Sequence, residues 1–425
     1  MLDAARFVAG GDDIDPNEVE DAIASLVARS MVLASITEDG TRYRLLETLR
    51  QFGEDQLVTD GDVASVRERH TRYFVEFMRR AWSGLWSGDD PPWVRAVGRE
   101  YENLRVAVYS AIESQDREAL AALLKPHIWW AWHALRYEVG GWAEAALSVK
   151  PEPDSARSVA VHLRVHGGRP DDAVRLASGL KDQVHHDDPD EECLWAWAHF
   201  NANIVTESPD ASRWMRRWID AGRRAGNDAR AAAIASIEVA FRIMAADTDE
   251  ARRIAEESYE HARATGNQTA LCWTTFFMGR ATSDSDPERA LRYFDRSVEI
   301  AERHHLPLIG GIAATEAAVV IARTEEPDEA WPRLAGALRS FVDSGDRRQL
   351  WTSAHHLAYF LARAGRRDDA RRLWRELGSR QAYAAQHHRD ELEALLGEPA
   401  ESQLSDAELV EHICRLLDDW DGAIS

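Results

Sequence analysis

One short phrase recurs along this chain at a nearly constant step of about 40 residues. Residues 168 to 177 read GRPDDAVRLA, and residues 365 to 374 read GRRDDARRLW. The alanine that follows each acidic pair has counterparts between the two copies, at intervals of 38 to 40 residues. The six alanines are Ala173, Ala211, Ala251, Ala290, Ala330 and Ala370. A fixed step of this length predicts a stack of two-helix units.

Each repeat carries the start and end signals of helices. Proline is tolerated in a helix mainly in the first turn, and it stands three residues before the alanine at Pro170, Pro287 and Pro327. Glycine favours the left-handed conformation that ends many helices, and it recurs in phase at Gly226, Gly266 and Gly345. One proline disagrees, because Pro332 lies too deep for a helix that begins at Pro327. It predicts a kink, or a start displaced to Trp331.

The last clear unit resembles a tetratricopeptide repeat. When Ala370 is counted as its twentieth position, four residues fall on the packing positions of that repeat, namely Leu357, Ala358, Leu361 and Trp374. The step exceeds the usual length of about 34 residues. The sequence therefore predicts a mainly α fold, in which an α-solenoid of tetratricopeptide-like helix pairs follows a small N-terminal domain.

That N-terminal domain has a different pattern. Residues 17 to 32 have the apolar spacing of a helix, and residues 33 to 46 read as two strands. Asp39 and Gly40 form the dipeptide that hairpin turns favour. Residues 46 to 57 return to the helical period. Helix, hairpin and helix make up the skeleton of a winged-helix domain.

Winged-helix domains often bind DNA, and a DNA-binding transcription regulator is the alternative function. A helix that approaches phosphate groups should be basic. The helix before the predicted wing instead carries Glu18, Glu20 and Asp21 against a single Arg29. A packing or hinge role is favoured for this domain, and nucleic acid is an unlikely partner.

Several segments carry a resemblance to a family. RYRLLETLRQFGEDQL (residues 42 to 57) and RERHTRYFVEFMRRA (residues 67 to 81) are similar to the region after the nucleotide-binding module of bacterial STAND-type signalling ATPases. The stretch from residue 100 to 132 resembles the link between winged helix and repeats in actinobacterial regulators related to LuxR-type activators and to ATPase-fused adenylate cyclases. The resemblance implies a winged helix followed by tetratricopeptide-like repeats.

The chain departs from that family pattern in two respects. It contains no GxxxxGK[ST] phosphate-binding loop, and its last segment, residues 404 to 424, is one acidic helix rather than a helix-turn-helix. The resemblance therefore implies the sensor half of such a protein, without the nucleotide-binding module and without the C-terminal helix-turn-helix. We expect a winged-helix-like domain at 1–60, a helical connector at 61–155, the repeat array at 156–400 and a capping helix at 401–425.

Composition limits the partners and the compartment. The formal net charge of −22 excludes a general electrostatic attraction to nucleic acid or to anionic membranes. No apolar run approaches the roughly 20 residues of a membrane span. The three cysteines, Cys193, Cys272 and Cys414, form no paired motif. This usage suits a cytoplasmic protein.

No residue pattern indicates catalysis, a cofactor or a metal. The sequence contains no GxSxG, HExxH or glycine-rich nucleotide loop. The segment HHDDPDEEC, residues 185 to 193, holds every common ligand type, but no second group at fixed spacing supports a zinc site. We interpret this segment as an acidic loop between helices, and we expect the protein not to be an enzyme.

The 16 tryptophans are the candidates for partner contacts. Most should pack between stacked helices, because each ring buries roughly 150–250 Å². Trp129, Trp132 and Trp195 are predicted to line the concave face and to bind a protein or a small molecule there. The favoured function is a non-catalytic regulatory scaffold whose repeat array senses such a ligand.

Overall fold

The computed structural model describes residues 2–10, 14–37, 40–180, 187–206, 208–324, 327–378, 386–398 and 402–424. His185 and His186, the first residues of the candidate ligand segment, lie outside the described residues. Within the described part of the chain, no helix is both long enough and apolar enough to cross a membrane. The described residues also contain no group of three His, Cys, Asp or Glu side chains that could hold a metal ion.

The N-terminal segment contains two helices, a β-hairpin and a third helix. Its elements are α1 (Leu2–Gly10), α2 (Pro16–Ala28), β1 (Val32–Thr37), β2 (Gly40–Leu45) and α3 (Glu47–Asp60). The two strands pair in antiparallel register, with Val32 opposite Leu45 and Thr37 opposite Gly40. Gly40 therefore begins β2 and is paired, whereas the sequence prediction placed it in the turn itself. Its φ of 114° still uses the backbone freedom of glycine.

Six helices connect this segment to the repeats. They are α4 (Val63–Leu85), α5 (Pro91–Arg99), α6 (Tyr101–Glu113), α7 (Arg117–Leu124), α8 (His127–His133) and α9 (Val139–Ala146). All seven residues of α8 are buried, including three tryptophans. A helix that is buried on all sides must be surrounded by other elements, and α8 therefore lies in the interior of the fold.

The repeat array consists of antiparallel helix pairs. It runs through α10 (Ala156–His166), α11 (Pro170–Ala177), α12 (Pro189–Val205), α13 (Ala211–Arg224), α14 (Asp228–Met244), α15 (Thr248–Thr265), α16 (Gln268–Thr282), α17 (Pro287–His304), α18 (Pro307–Thr324), α19 (Pro327–Ser344), α20 (Arg347–Arg363) and α21 (Arg367–Leu377). Successive helices pack on one another, as the repeat step predicts. Two further helices follow, α22 (Gln386–Leu396) and α23 (Asp406–Ile424).

The repeat landmarks take the positions that the sequence predicts. Five of the six alanines are at most 1 % exposed and stand fourth in their helix: Ala173, Ala251, Ala290, Ala330 and Ala370. Ala211 is half-buried, because α13 begins at this residue and its side chain lies at the helix end. Short side chains at the five buried positions allow neighbouring helices to approach closely.

The left-handed helix ends also recur in phase. Gly226, Gly266 and Gly345 have φ values of 68°, 76° and 72°. The sequence has no glycine at the corresponding place near residue 306, and His305 adopts the left-handed conformation there with φ 58°. The backbone geometry of the repeat is therefore kept although its preferred residue is absent.

Pro332 does not displace a helix start. Helix α19 begins at Pro327 and continues through Pro332 to Ser344, so the alternative start at Trp331 is wrong. Proline at the sixth position removes a single helical hydrogen bond near the helix end, and the buried face of α19 keeps the helix in place. In the last unit, Leu357, Ala358, Leu361, Ala370 and Trp374 are all at most 2 % exposed, as their packing role predicts.

The array curves until its first and later units meet around the connector. Helix α10 packs against α20, and α8 packs against α10 and α18. At the other end, α23 lies against α19 and α21. Trp420 of α23 stacks on Trp331 with ring centroids 4.9 Å apart. The connector thus occupies much of the space that an open array would offer to a partner.

Candidate functional site

The three tryptophans predicted to bind a partner do not share one surface. Trp129 is 2 % exposed, and its ring centroid lies 4.4 Å from that of Trp86. Trp195 is 5 % exposed and lies under the guanidinium of Arg217, 4.2 Å from it. Of the three, Trp132 lines a cavity on the inner side of the array. Partner binding by these side chains stays a prediction.

The inner faces of the repeat helices surround this cavity of about 160 Å³. Helices α12, α14, α16, α18 and α20 each contribute side chains, and α8, α10 and α13 complete the wall. Its aromatic lining consists of Trp132, Trp197, Phe200, Trp218, Phe241, Trp273, Phe276 and Phe277. A mainly apolar lining with a few polar groups is the usual composition of small-molecule sites.

Polar groups interrupt the aromatic wall at several places. Arg280 of α16 and Glu316 of α18 form an ion pair, with side chains 14 % and 10 % exposed. Farther along the wall, the indole N–H of Trp132 lies 3.2 Å from Nδ1 of His166. Nη1 of Arg348 lies 3.4 Å from Nε2 of the same imidazole. Burial, reinforced by the charge of Arg348, holds the pKa of His166 well below its usual value, so the ring is neutral near pH 7.

A second histidine fixes α8 against the repeats. His133 donates a hydrogen bond from Nδ1 to the carbonyl of Trp129 at 2.7 Å, and its Nε2 accepts one from the indole of Trp273 at 2.7 Å. These two partners require one donor and one acceptor nitrogen, which is the neutral imidazole. Burial lowers the pKa of His133 to about 3, in agreement with that form. The bond to Trp273 joins the connector directly to a cavity-lining helix.

The residues that begin the repeat helices also hold the connector. Asn227 and Asn267 cap α14 and α16 by accepting backbone N–H bonds, and both follow a left-handed glycine. The amide of Asn227 donates to the carbonyl of Trp86 at 3.1 Å. The amide of Asn267 donates to the carbonyls of Leu85 and Ser87, at 3.1 and 2.7 Å. Two asparagines one repeat apart therefore donate hydrogen bonds to the same loop of the connector. We call this loop, residues 85–90, the clasp loop.

The clasp loop in turn caps one helix of the array, because Asp90 accepts hydrogen bonds from the start of α16. Both carboxylate oxygens of Asp90, which is 1 % exposed, accept bonds from the start of α16: the backbone N–H groups of Gln268 and Thr269, at 2.7 and 3.1 Å, and the hydroxyl of Thr269 at 2.6 Å. Two repeats farther on, the hydroxyl of Tyr137 donates to the buried carboxylate of Asp346 at 2.5 Å. Contacts across 179 and 209 residues thus close the array around the connector.

Removing the clasp at Asn267 should cost about 3 kcal/mol of unfolding free energy. Asn267→Ala deletes a helix cap and leaves two carbonyls without their donor, and each loss is worth about 1 kcal/mol or more. The matched control is Asn227→Ala. The side chain of Asn227 is half-buried and donates a hydrogen bond to one carbonyl of the clasp loop. Urea denaturation followed by circular dichroism should show a loss of at most about two thirds of this size for the control, which keeps the cap loss but loses one carbonyl contact instead of two. Equal losses would contradict a specific clasp at Asn267.

The sequence did not reveal the clasp or the polar end of the cavity. His166 and Arg348 are 182 residues apart, and each is one of many such residues in the chain. The signal that could have found the clasp is the side chain after each left-handed glycine, in Gly226-Asn227, Gly266-Asn267 and Gly345-Asp346. Asn and Asp favour helix caps, but a cap does not reveal its additional partner.

Fold and cavity together define a closed α-solenoid of tetratricopeptide-like helix pairs with an aromatic interior. The chain is similar to two proteins provisionally named HTH-type transcriptional regulators, from Mycobacterium bovis and from Mycobacterium tuberculosis strain H37Rv. Identity to each is 29% over 297 residues, which cover 68% of this chain and 30% of the relative. The chain thus spans about a third of the length of these relatives.

A likeness in fold extends over nearly the whole chain. A solved structure from Pyrococcus horikoshii, a signal transduction ATPase with numerous domains that has a tetratricopeptide repeat sensor, matches with a TM-score of 0.51 and 13% identity. The match covers 99% of this chain and 60% of that one. At this identity the likeness shows the fold alone. No protein-family model matches the sequence.

Proposed function

We propose that this chain is a non-catalytic, cytoplasmic regulatory scaffold, in which the helix-pair array senses a ligand and the N-terminal segment passes the state of the array to a partner protein. The fold shared with a STAND protein that has a repeat sensor supports the sensing role. The names of the mycobacterial relatives support a place in transcriptional regulation. The helix, hairpin and helix of residues 16–60 have the order of a winged-helix domain.

One observation carries this proposal: the cavity wall and the clasp belong to the same connector. Trp132 lines the cavity, and the adjacent His133 binds Trp273 of α16, which also lines it. Helix α4 of the same connector packs against α1 and α3 of the N-terminal segment. A ligand that moves α8 would therefore act on the segment through a continuous path of packed helices.

The N-terminal segment exposes large apolar side chains that such a partner could contact. Ile36 is 88 % exposed, Phe52 62 % and Val58 68 %. Helix α3, which contains the latter two, has no buried residue. Exposed apolar surface of this kind marks sites of protein contact. The acidic residues Glu18 and Glu20 of α2 disfavour DNA as the partner of this segment.

A matched pair of variants tests the scaffold function. Ile36→Asp should abolish capture of a specific protein from extracts of the source cell, whereas Val174→Asp, at a 37 % exposed position of α11, should retain it. Both variants should keep the circular dichroism spectrum of the wild type. Capture that survives Ile36→Asp would contradict the proposed surface. A gel shift that weakens steeply with salt would instead favour the DNA-binding alternative.

A further inference from the structure

Two threonine hydroxyls in the cavity wall donate their hydrogen atoms to the protein itself. Thr315 of α18 and Thr352 of α20 both line the cavity. The hydroxyl of Thr315 donates to the carbonyl of Gly311 at 2.9 Å, and that of Thr352 donates to the carbonyl of Arg348 at 3.1 Å. A hydroxyl has one hydrogen to donate and two lone pairs that accept. Both oxygens can therefore still accept a hydrogen bond, but they have no further hydrogen to donate.

A serine beside these threonines follows the same rule. Ser353 of α20 lines the cavity and is 2 % exposed. Its oxygen lies 3.1 Å from that of Thr315. Because the hydrogen of Thr315 is donated to Gly311, Ser353 is the donor in this pair and retains its own lone pairs. The three hydroxyls thus form a patch on α18 and α20 that accepts hydrogen bonds. We call Thr315, Thr352 and Ser353 the hydroxyl patch.

The charged groups of the wall favour a neutral ligand. Two arginines line the cavity, and each acts on a carboxylate of the protein. Arg280 forms an ion pair with Glu316. The charge of Arg348 acts on the buried carboxylate of Asp346. A charged ligand would lose its hydration in this cavity without meeting an unbalanced charge of opposite sign, and such a transfer is costly.

The volume and the aromatic wall define the rest of the ligand. A cavity of about 150 Å³ lined by apolar side chains accepts one benzene molecule. The present cavity of about 160 Å³ therefore has space for one six-membered ring with a small substituent. Trp132 and Trp273 stack with centroids 5.4 Å apart, and Trp273 stacks on Phe277 at 5.8 Å. These aromatic surfaces suit a flat apolar ring.

We propose that the cavity binds a small neutral molecule with a single aromatic ring and one hydroxyl or amino donor, as in phenol. The aromatic wall contacts the ring, and an oxygen of the hydroxyl patch accepts the hydrogen of the donor. The inference rests on the proposed function, in which the inner face of the array senses a ligand, and it adds the chemical class of that ligand.

Isothermal titration of the full chain at pH 7.5 with three probes tests the ligand class. Phenol is neutral at this pH, because its pKa is about 10. Toluene has a similar shape and no donor, and benzoate is charged. Phenol should bind with a stoichiometry of one, at least as tightly as toluene and at least tenfold more tightly than benzoate. A wall without acceptors would prefer toluene, since the phenol hydroxyl would be buried without a partner.

Three results would overturn the proposal. They are toluene binding more tightly than phenol, benzoate binding as tightly as phenol, and failure of phenol to saturate the wild type at millimolar concentrations.

A pair of serine variants tests the hydroxyl patch. Ser353→Ala should weaken phenol binding about tenfold and leave toluene binding within twofold, because phenol alone uses the oxygen. The matched control is Ser236→Ala. Ser236 of α14 is fully buried, donates to the carbonyl of Ala233 at 2.8 Å and does not line the cavity. The control should bind both probes as the wild type does. Equal losses of phenol and toluene binding in Ser353→Ala would contradict the acceptor role.

A second pair of variants locates the binding. Ala240 lines the cavity on α14, whereas Ala231, nine residues earlier, points to the opposite side of the same helix. Ala240→Phe should fill the cavity and abolish phenol binding, and Ala231→Phe should leave it within twofold of the wild type. Phenol binding that persists in folded Ala240→Phe would refute the location. If either variant fails to fold, the serine pair decides.

The two proposals can fail separately. Protein capture that does not depend on Ile36, with phenol binding intact, would reject the scaffold function and leave the cavity site standing. Absent phenol binding together with specific, Ile36-dependent capture would reject the ligand class and retain the scaffold.

Discussion

Lowering the pH from 7.5 to 5 is expected to remove several kcal/mol of folding stability from this protein. Four of the buried histidines have strongly lowered pKa values: His127, His133, His162 and His166. Burial lowers the pKa of His127 and His133 to about 3. It lowers the pKa of the other two well below the ordinary value of 6.5. The folded protein therefore keeps these rings neutral while the unfolded chain protonates them.

The sign and size of this effect follow from proton linkage. A group whose pKa is lowered by folding contributes stability above its unfolded pKa, near 6.5, and that stability is lost as the pH falls toward the folded value. Each pH unit below 6.5 costs about 1.4 kcal/mol per histidine, so four rings together cost roughly 8 kcal/mol at pH 5. Typical domains have about 5–15 kcal/mol in total.

Buried carboxyls whose pKa is raised oppose the histidines, and Asp346 has the largest such shift among the described residues. Burial raises the pKa of Asp346 to about 6, above its ordinary 3.8. Its stabilising effect is complete below the unfolded pKa and is lost as the pH rises through about 6. Acidification to pH 5 therefore increases the folding stability by about 1.4 kcal/mol through this group. The histidines outweigh it because there are four of them and each is shifted in the destabilising direction.

His127→Leu isolates the contribution of one ring. Neither nitrogen of His127 has a hydrogen-bond partner among the described residues, and the ring lies 5.5 and 5.8 Å from Trp130 and Trp142. An apolar replacement thus breaks no hydrogen bond. Urea unfolding at pH 7.5, 6 and 5 should show a variant about 2 kcal/mol less sensitive to acid than the wild type. His261→Leu, at an exposed position of α15, is the matched control for replacing a histidine. An unaltered slope in His127→Leu would disprove the assignment.

The repeat architecture could be predicted from the sequence because its signals are local. Proline at Pro170, Pro287 and Pro327 marks helix starts through its own missing N–H, and the structure begins a helix at each. Gly226 and Gly266 mark helix ends through their own backbone freedom. Such signals act within a few residues of the chain.

The closure of the array could not be predicted, because it depends on contacts between distant segments. Tyr137 and Asp346 are 209 residues apart, and Trp273 and His133 are 140 apart. A tryptophan in the connector looks the same in the sequence whether it faces a groove or the core. Trp132 lines the cavity and Trp129 is buried, although both lie on α8 and are three residues apart. Because all seven residues of α8 are buried, the helix has no polar face, and its sequence pattern does not show which tryptophan lines the cavity and which lies in the core.

Trp129→Ala is expected to destabilise the protein by about 4 kcal/mol, in the range for a large ring removed from a core. The ring is 2 % exposed and contacts the rings of Trp86, Trp197 and His133, with centroids 4.4, 5.8 and 4.2 Å away. Its removal would leave a cavity between the connector and the repeats. The rigid helices around it can collapse into that space only in part.

Trp129→Phe is the matched control for this core role. The indole nitrogen of Trp129 has no hydrogen-bond partner among the described residues, so phenylalanine loses ring volume but no hydrogen bond. We expect a loss of about 1.5 kcal/mol or less for this milder truncation. Thermal and urea denaturation of both variants measure the difference. If Trp129→Ala kept wild-type stability and instead lost the binding of a partner, the side chain would belong to a recognition surface, and the close packing of α8 against the array could not be the basis of the fold.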